Sequence, residues 1–362
     1  MAREAETALR RGWTTGACAA AAARAAFAAM LSRDFPDPVS IRLPRGRVAS
    51  FRLALAELGE STARAGVTKD AGDDPDVTHG ALVIVETAWA RPGSGIGFAA
   101  GDGVGTVTRP GLPLAVGEPA INPAPRTMIR DALLDAAAEN GAPPPDLTVT
   151  ISIPGGERLA EKTMNARLGI VGGLSILGTT GIVVPYSCAS WISAIHRGID
   201  VARAAGLEHI AAATGATSEQ AVQQLYKLPD HALIDMGDFV GATLKYLRGH
   251  PVARLTIAGG FAKLAKLASG HLDLHSARSR VDIGALAQML GELGVDASTA
   301  AAARAARGAA EILVLAGTKR EALAHAVAAR AREVALATLS GKTAVEIAVF
   351  DRQGSFLALV GE

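Results

Sequence analysis

The sequence predicts an α/β fold in two parts. A mixed α+β N-terminal domain spans residues 1–185, and a C-terminal domain spans residues 186–362 with a mainly parallel sheet wound with helices. The length, 362 residues, gives two cores at roughly 150 residues per domain. Between residues 39 and 153, apolar and β-branched residues recur with period two, the signature of half-buried strands. Beyond residue 186 a short apolar run, a glycine-bearing loop and a helical stretch recur in that order, as strands wound in parallel require.

Thr14 or Thr15 supplies an N-cap for an alanine-dominated helix through Ala17 to Leu31. After Pro36 and Pro38 come the strand-like runs Val39–Leu43, Val48–Leu55, Leu82–Ala88 and Leu147–Ile153. Between the last two, a helix runs from Pro123 to Asn140, with Pro in its first turn and Gly141 just past its end. In the second half, His209–Ala213 leads into Thr214-Gly215 and a helix capped near Ser218, and Ala232–Ile234 leads into Asp235–Asp238 and another helix. Val252–Ala258 leads into Gly259-Gly260 and a third helix. Alanine-rich helices fill much of Ile283–Thr338, and Ala344–Phe350, a turn at Asp351–Gly354 and Phe356–Val360 close the chain as a hairpin.

Composition narrows the function classes. With 49% hydrophobic residues and Lys+Arg 36 against Asp+Glu 35, the chain has neither the polarity of disorder nor a field for nucleic acid. Cys18 and Cys188 sit in no metal-ligand or disulfide pattern, which fits a reducing, cytoplasmic setting. Arg10-Arg11 before the alanine run superficially matches an export signal, but Arg24 interrupts the run and alanine is a weak hydrophobe. No membrane association is expected, and a homo-oligomer is left open.

Several segments carry candidate chemistry. Gly101-Asp102-Gly103-Val104-Gly105 is a turn whose alternate glycines let backbone approach a ligand, or a glycine-bearing hairpin. Lys69–Gly80 gathers four carboxylates with His79; it is a solvated turn, a cation loop or an acid–base group. The triplets Thr14-Thr15-Gly16 and Thr179-Thr180-Gly181 are anion nests at helix entrances or plain caps and packing glycines. Gly259, Gly260, Lys263 and Lys266 follow the third strand, where wound sheets place ligands. On a strand, His271, Asp273 and His275 would share a face; as polar surface they need no ligand.

In order along the chain, Gly12–Ala19, Lys69–Gly80, Gly101–Gly111 with Ala120–Pro123, Gly169–Val184 and Gly259–Ser276 resemble the cobalt-precorrin-5B (C1)-methyltransferase family of anaerobic cobalamin biosynthesis. The resemblance implies methyl transfer from S-adenosylmethionine to ring carbon C1 of a cobalt corrinoid, with the cobalt carried by the substrate and no protein-bound metal. Under that reading Gly101, Asp102, Gly103, Gly105, Thr179, Thr180 and Gly181 bind the methyl donor. Thr14, Thr15, Gly16, Arg126, Gly259, Gly260 and Lys263 meet the carboxylate-bearing substrate, and His79 or Asp76 relays the departing proton. The competing readings are a non-catalytic corrinoid or tetrapyrrole carrier and a nucleotide-dependent oxidoreductase. The oxidoreductase is disfavoured because no Gly-x-Gly-x-x-Gly turn joins strand to helix.

Overall fold

A computed structural model describes residues 9–361. The chain divides into two compact units, Met1–Cys188 and Ala189–Glu362, against the boundary after residue 185 expected from texture.

The N-terminal unit is built on a mixed five-stranded sheet in the order Leu55–Leu58, Thr62–Thr68, Leu82–Trp89, Leu147–Ser152, Ile96–Ala100. Its pairs are antiparallel except the last, which is parallel. Helix Thr15–Ser32 packs on this sheet and on helix Pro123–Glu139. Ala17 and Ala19–Ala23 are fully buried, so alanine is what lets a helix apolar all round fit between two neighbours. By length and composition alone this helix could cross a membrane, yet most of it is buried inside the protein.

Two strand expectations change. The run Val48–Leu55 is broken: Val48–Phe51 forms a hairpin with Val39–Arg42, and Leu55–Leu58 joins the five-stranded sheet. The Leu53 amide turns out of both ladders to donate to Asp37 Oδ1 at 3.1 Å. Thr62–Thr68 is a full strand that the pattern hid, because two of its three inward positions, Ala63 and Ala65, are alanine and only Val67 is strongly apolar, too little to register as alternation.

The C-terminal unit holds a second sheet in the order Leu233–Asp235, His209–Ala213, Arg254–Gly260, Ala344–Phe350, Phe356–Val360. The first four strands are parallel and the last antiparallel, as the repeated texture and terminal hairpin predict. Alternate residues serve the two faces. Ile210 and Ala212 join Ile257 and Ile347 in one cluster, while Ala211 and Ala213 join Val222 and Phe350 in another. Helix Ala216–Tyr226 begins before the expected cap; Ser218 lies in its first turn and donates its hydroxyl back to the Gly215 carbonyl at 2.9 Å.

Candidate active site

Strand Gly12–Trp13, segment 70–73 and loop 177–183 converge on the N-terminus of helix Thr15–Ser32. Thr14 caps the helix, its hydroxyl accepting from the Ala17 amide at 3.2 Å. The amides of Thr14 and Gly16 donate to the carbonyls of Gly181 and Leu177, each at 3.0 Å. The two Thr-Thr-Gly segments therefore abut: a Cβ on Gly178 would lie 2.2 Å from Thr14 Oγ1. This favours the cap over the nest reading for residues 14–16, since the Thr14, Gly16 and Ala17 amides at the helix end are spent on protein acceptors. Thr15 is buried, and the Thr180 hydroxyl bonds the Ile182 backbone. Thr179 alone in this set stands exposed, with no partner among the described residues.

The acidic loop shares out its carboxylates. The Arg10 guanidinium donates to Asp70 at 2.5 and 2.9 Å and its amide donates to Asp73 at 2.6 Å. Asp74 accepts from the Tyr186 amide at 2.8 Å. Lys69, buried, donates to the Asp76 carboxylate and the Thr78 hydroxyl. Arg10 and the Gly72 amide hold the Asp70 carboxyl down to about 2. Burial pushes Asp76 up, but the charge and hydrogen bond of Lys69 and the bonds from Thr78 outweigh it, and its pKa lies below the ordinary carboxyl value.

These contacts bear on the proton-relay expectation. Asp76 is the counter-ion of a buried lysine. His79 Nδ1 accepts from the Ala71 amide at 3.1 Å, which puts the proton of a neutral ring on Nε2. Neither ring nitrogen then keeps a free lone pair, so both residues assigned to proton transfer are engaged in shaping the loop. Among the described residues no group of three or more His, Cys, Asp or Glu is placed to hold a metal ion.

The turn at Gly101–Gly105 is equally committed. Its amides donate from Gly101 to Ile151 O at 2.8 Å, from Gly103 to Glu157 Oε1 at 2.9 Å and from Gly105 to Leu174 O at 2.8 Å. A Cβ on Gly103, where φ is +73°, would lie 2.0 Å from Ile153 O, and one on Gly173 would lie 2.3 Å from the Gly103 carbonyl. The glycines exist here because three backbone segments cross, and the expected amide cradle is absent. What remains open to a ligand is acidic: Asp102 is exposed with no side-chain partner among the described residues, and exposed Glu157 sits beside the next amide. Such a turn suits a cation and repels phosphate.

Arg126 is mostly buried, and its guanidinium bonds Ile121 O at 2.8 Å, Glu118 at 3.1 Å and Pro119 O at 3.3 Å. It ties the 118–121 segment to helix Pro123–Glu139. On the far side of that helix, hairpin 39–51 bounds an open cleft of about 670 Å³ that Thr179 also lines. Its basic residues, Arg42 and Arg45, give no pattern in the sequence beyond the Pro44-Arg45-Gly46 turn.

In the C-terminal unit Gly259 and Gly260 are the last residues of their strand, and Gly260 is the N-cap of helix Phe261–Ala268. Lys263 pairs with Asp238, and buried Lys266 donates to Leu274 O at 2.8 Å. The segment 271–275 forms no strand; Asp273 instead pairs with Arg278 at 2.6 Å and accepts from the His275 amide. The lysines expected to meet substrate carboxylates are thus already held by protein oxygens.

A mixed α+β unit with crossing glycine loops, followed by a parallel wound sheet, defines a two-unit α/β protein whose open polar groups suit small charged ligands. Residues 2–185 match the CbiD family and residues 273–361 match the CbiD C-terminal domain. The chain is 58% identical over 352 residues to the cobalt-precorrin-5B C(1)-methyltransferase of Methylorubrum extorquens, covering 97% of each. It is also 58% identical over 360 residues to that of Halorhodospira halophila, covering 99% of this chain and 96% of the relative. A crystal structure of the cobalamin biosynthesis protein cbiD from Archaeoglobus fulgidus shares 31% identity over 75% of this chain and 83% of its own, with a TM-score of 0.40. The chain belongs to the CbiD family.

Proposed function

We propose that this protein is a cobalt-precorrin-5B C(1)-methyltransferase that takes its methyl group from S-adenosylmethionine. The observation that carries the reading is 58% identity, over 97% of the chain, to a relative of that name. The donor supplies an electrophilic methyl group: its S–CH3 bond breaks as the C1–CH3 bond forms, and the electron pair stays on sulfur. Cobalt is part of the substrate. No covalent nucleophile is needed, so the protein's work is alignment and exclusion of water.

The donor carries a sulfonium, an ammonium and one carboxylate, a net positive charge, and no phosphate. An acidic turn fits it better than an amide nest would, and Asp102 is assigned to its ammonium or ribose hydroxyls, with Thr179 as a second contact. Gly101, Gly103, Gly105, Thr180 and Gly181 act by holding those two loops in shape. Thr14, Thr15, Gly16 and Arg126 act likewise on the helix entrances, and the Lys69–Asp76 ion pair fixes the loop that carries His79. Cys18 and Cys188 form no disulfide, which fits a cytoplasmic site of action.

Anaerobic incubation of the purified protein with cobalt-precorrin-5B and methyl-labelled S-adenosylmethionine is expected to place label on C1 with one S-adenosylhomocysteine per transfer. Binding of the corrinoid without transfer would overturn the reading in favour of a carrier. Asp102→Ala is expected to weaken S-adenosylmethionine binding about two- to fivefold, the scale of one exposed charge pair, and S-adenosylhomocysteine binding by a similar factor, since it keeps the ammonium and the ribose. Equal affinities for wild type and variant, by calorimetry, would remove Asp102 from the site.

A further inference from the structure

We propose that Arg45, assisted by Arg42, recognises peripheral carboxylates of the corrinoid and determines substrate specificity in the cleft between hairpin 39–51 and helix Pro123–Glu139. The inference rests on the methyltransferase reading and adds the place where that substrate is held. Leu43 accepts from the Gly46 amide at 2.9 Å, with Pro44 and Arg45 between them and φ of 76° at Arg45. That is a type II turn, whose third position favours glycine or asparagine. An arginine there is held in a disfavoured backbone conformation, yet no internal bond compensates: Arg45 is exposed and has no hydrogen bond or ion pair among the described residues.

Its surroundings match one kind of ligand. Among the described residues Arg42 reaches only Asp135, at 4.0 Å, and Asp135 is also approached by Arg24 at 3.9 Å. Apolar side chains also line the cleft, Met128 buried and Leu134 41% exposed among them. A macrocycle with aliphatic ring edges and carboxylate arms presents both chemistries at once. Asp131, exposed on the helix side of the cleft, repels carboxylates from that wall, so the arms are directed to the hairpin and the bound orientation is fixed. Arginine suits the task because its planar fork meets a carboxylate through two bonds.

The test compares Arg45→Gly, Arg45→Lys and Arg42→Ala in the full chain. Arg45→Gly is expected to raise KM for cobalt-precorrin-5B about tenfold, with kcat within about twofold, which matches loss of a charge-assisted bond in ground and transition state alike. Its melting temperature is expected to equal or exceed that of wild type, because glycine relieves the turn; a merely structural Arg45 would not give lost binding with retained stability. Arg45→Lys should keep part of the affinity. As a probe independent of turnover, absorbance titration should show wild type binding dicyanocobyrinic acid more tightly than its methyl ester, a preference that Arg45→Gly/Arg42→Ala loses. An unchanged KM together with an unchanged acid-over-ester preference would overturn the inference even if wild type methylates C1. Absence of methylation by wild type would instead overturn the functional reading, while arginine-dependent acid selectivity would still support the site.

Discussion

Replacing Asp76 by asparagine isolates the strongest electrostatic commitment in the N-terminal unit. Lys69 is 3% exposed, and Asp76 is its counter-ion with the side chain 23% exposed. The introduced amide would leave the shape almost unchanged while stranding the ammonium beside Thr78. Removing one partner of a buried pair costs about 3–5 kcal/mol. Because Asp76 keeps some water, the lower end applies, about 3 kcal/mol. For a unit of this size 1 kcal/mol moves the midpoint by roughly 2–4 °C, so calorimetry of the full chain should show the N-terminal transition falling by about 6–12 °C. The pair also sets a pH dependence. The folded Asp76 carboxyl titrates below its unfolded value, so its contribution is complete above the unfolded pKa and disappears as pH falls through the folded one. Asp76→Asn should abolish that acid-side loss. Replacing both residues, as Lys69→Met/Asp76→Leu, should recover much of the stability, since the uncompensated charge goes with the pair. A loss below about 1 kcal/mol for Asp76→Asn, or no recovery in the double variant, would refute the buried-pair argument.

Three further outcomes follow from the contacts. Gly103→Ala should destabilise the N-terminal unit by about 3 kcal/mol or more, because left-handed strain adds to the clash with Ile153 O; denaturant unfolding reads it, and a wild-type midpoint would contradict the crossing of backbones described at that turn. Burial pushes the Cys18 thiol up to about 12, so iodoacetamide at pH 8 should leave Cys18 unmodified in the folded protein, as peptide mass analysis would show, and alkylate it after denaturation. In the C-terminal unit, burial raises the Glu346 carboxyl, but bonds from Arg254, Tyr226 and Thr256 lower it further than burial raises it. Its stabilisation is therefore present above the unfolded carboxyl pKa and lost as pH falls through the folded value, and Glu346→Gln should flatten the acid limb of that unit's unfolding curve.

The parts of the fold with strong local punctuation are legible in the sequence. Thr14 before an alanine run, Pro123 with Gly141 around the second helix, and the β-branched runs at 82–89 and 344–350 each state their element without tertiary help. Strand Thr62–Thr68 is not legible because alanine and glycine fill its buried positions apart from Val67. The site is harder for a different reason. Glycine at 103 reads equally as room for a ligand or room for another backbone, and only the approach of Ile153 and Gly173 decides. Likewise four aspartates in one loop say nothing of their partners until Arg10 and the Tyr186 amide arrive from elsewhere in the chain and Lys69 folds back onto Asp76. Arg45 leaves no signal beyond the Pro44-Arg45-Gly46 turn; the strain in that turn and the adjoining cleft are properties of folded backbone.

The near balance of charge conceals local fields of opposite sign within the N-terminal unit. Asp102 and Glu157 make the 101–105 turn acidic, while Arg42 and Arg45 make the hairpin basic. At physiological ionic strength such exposed charges act over roughly 8 Å, so each field governs only the ligand group seated against it. A cationic methyl donor and an anionic macrocycle can then be sorted by sign in one unit whose net charge attracts neither. Transfer breaks this symmetry in one direction. On the proposed function the donor gives up its sulfonium charge when the methyl leaves and keeps the ammonium and ribose assigned to Asp102, so the field of the acidic turn attracts it less, whereas the carboxylates of the macrocycle and their attraction to the hairpin are unchanged.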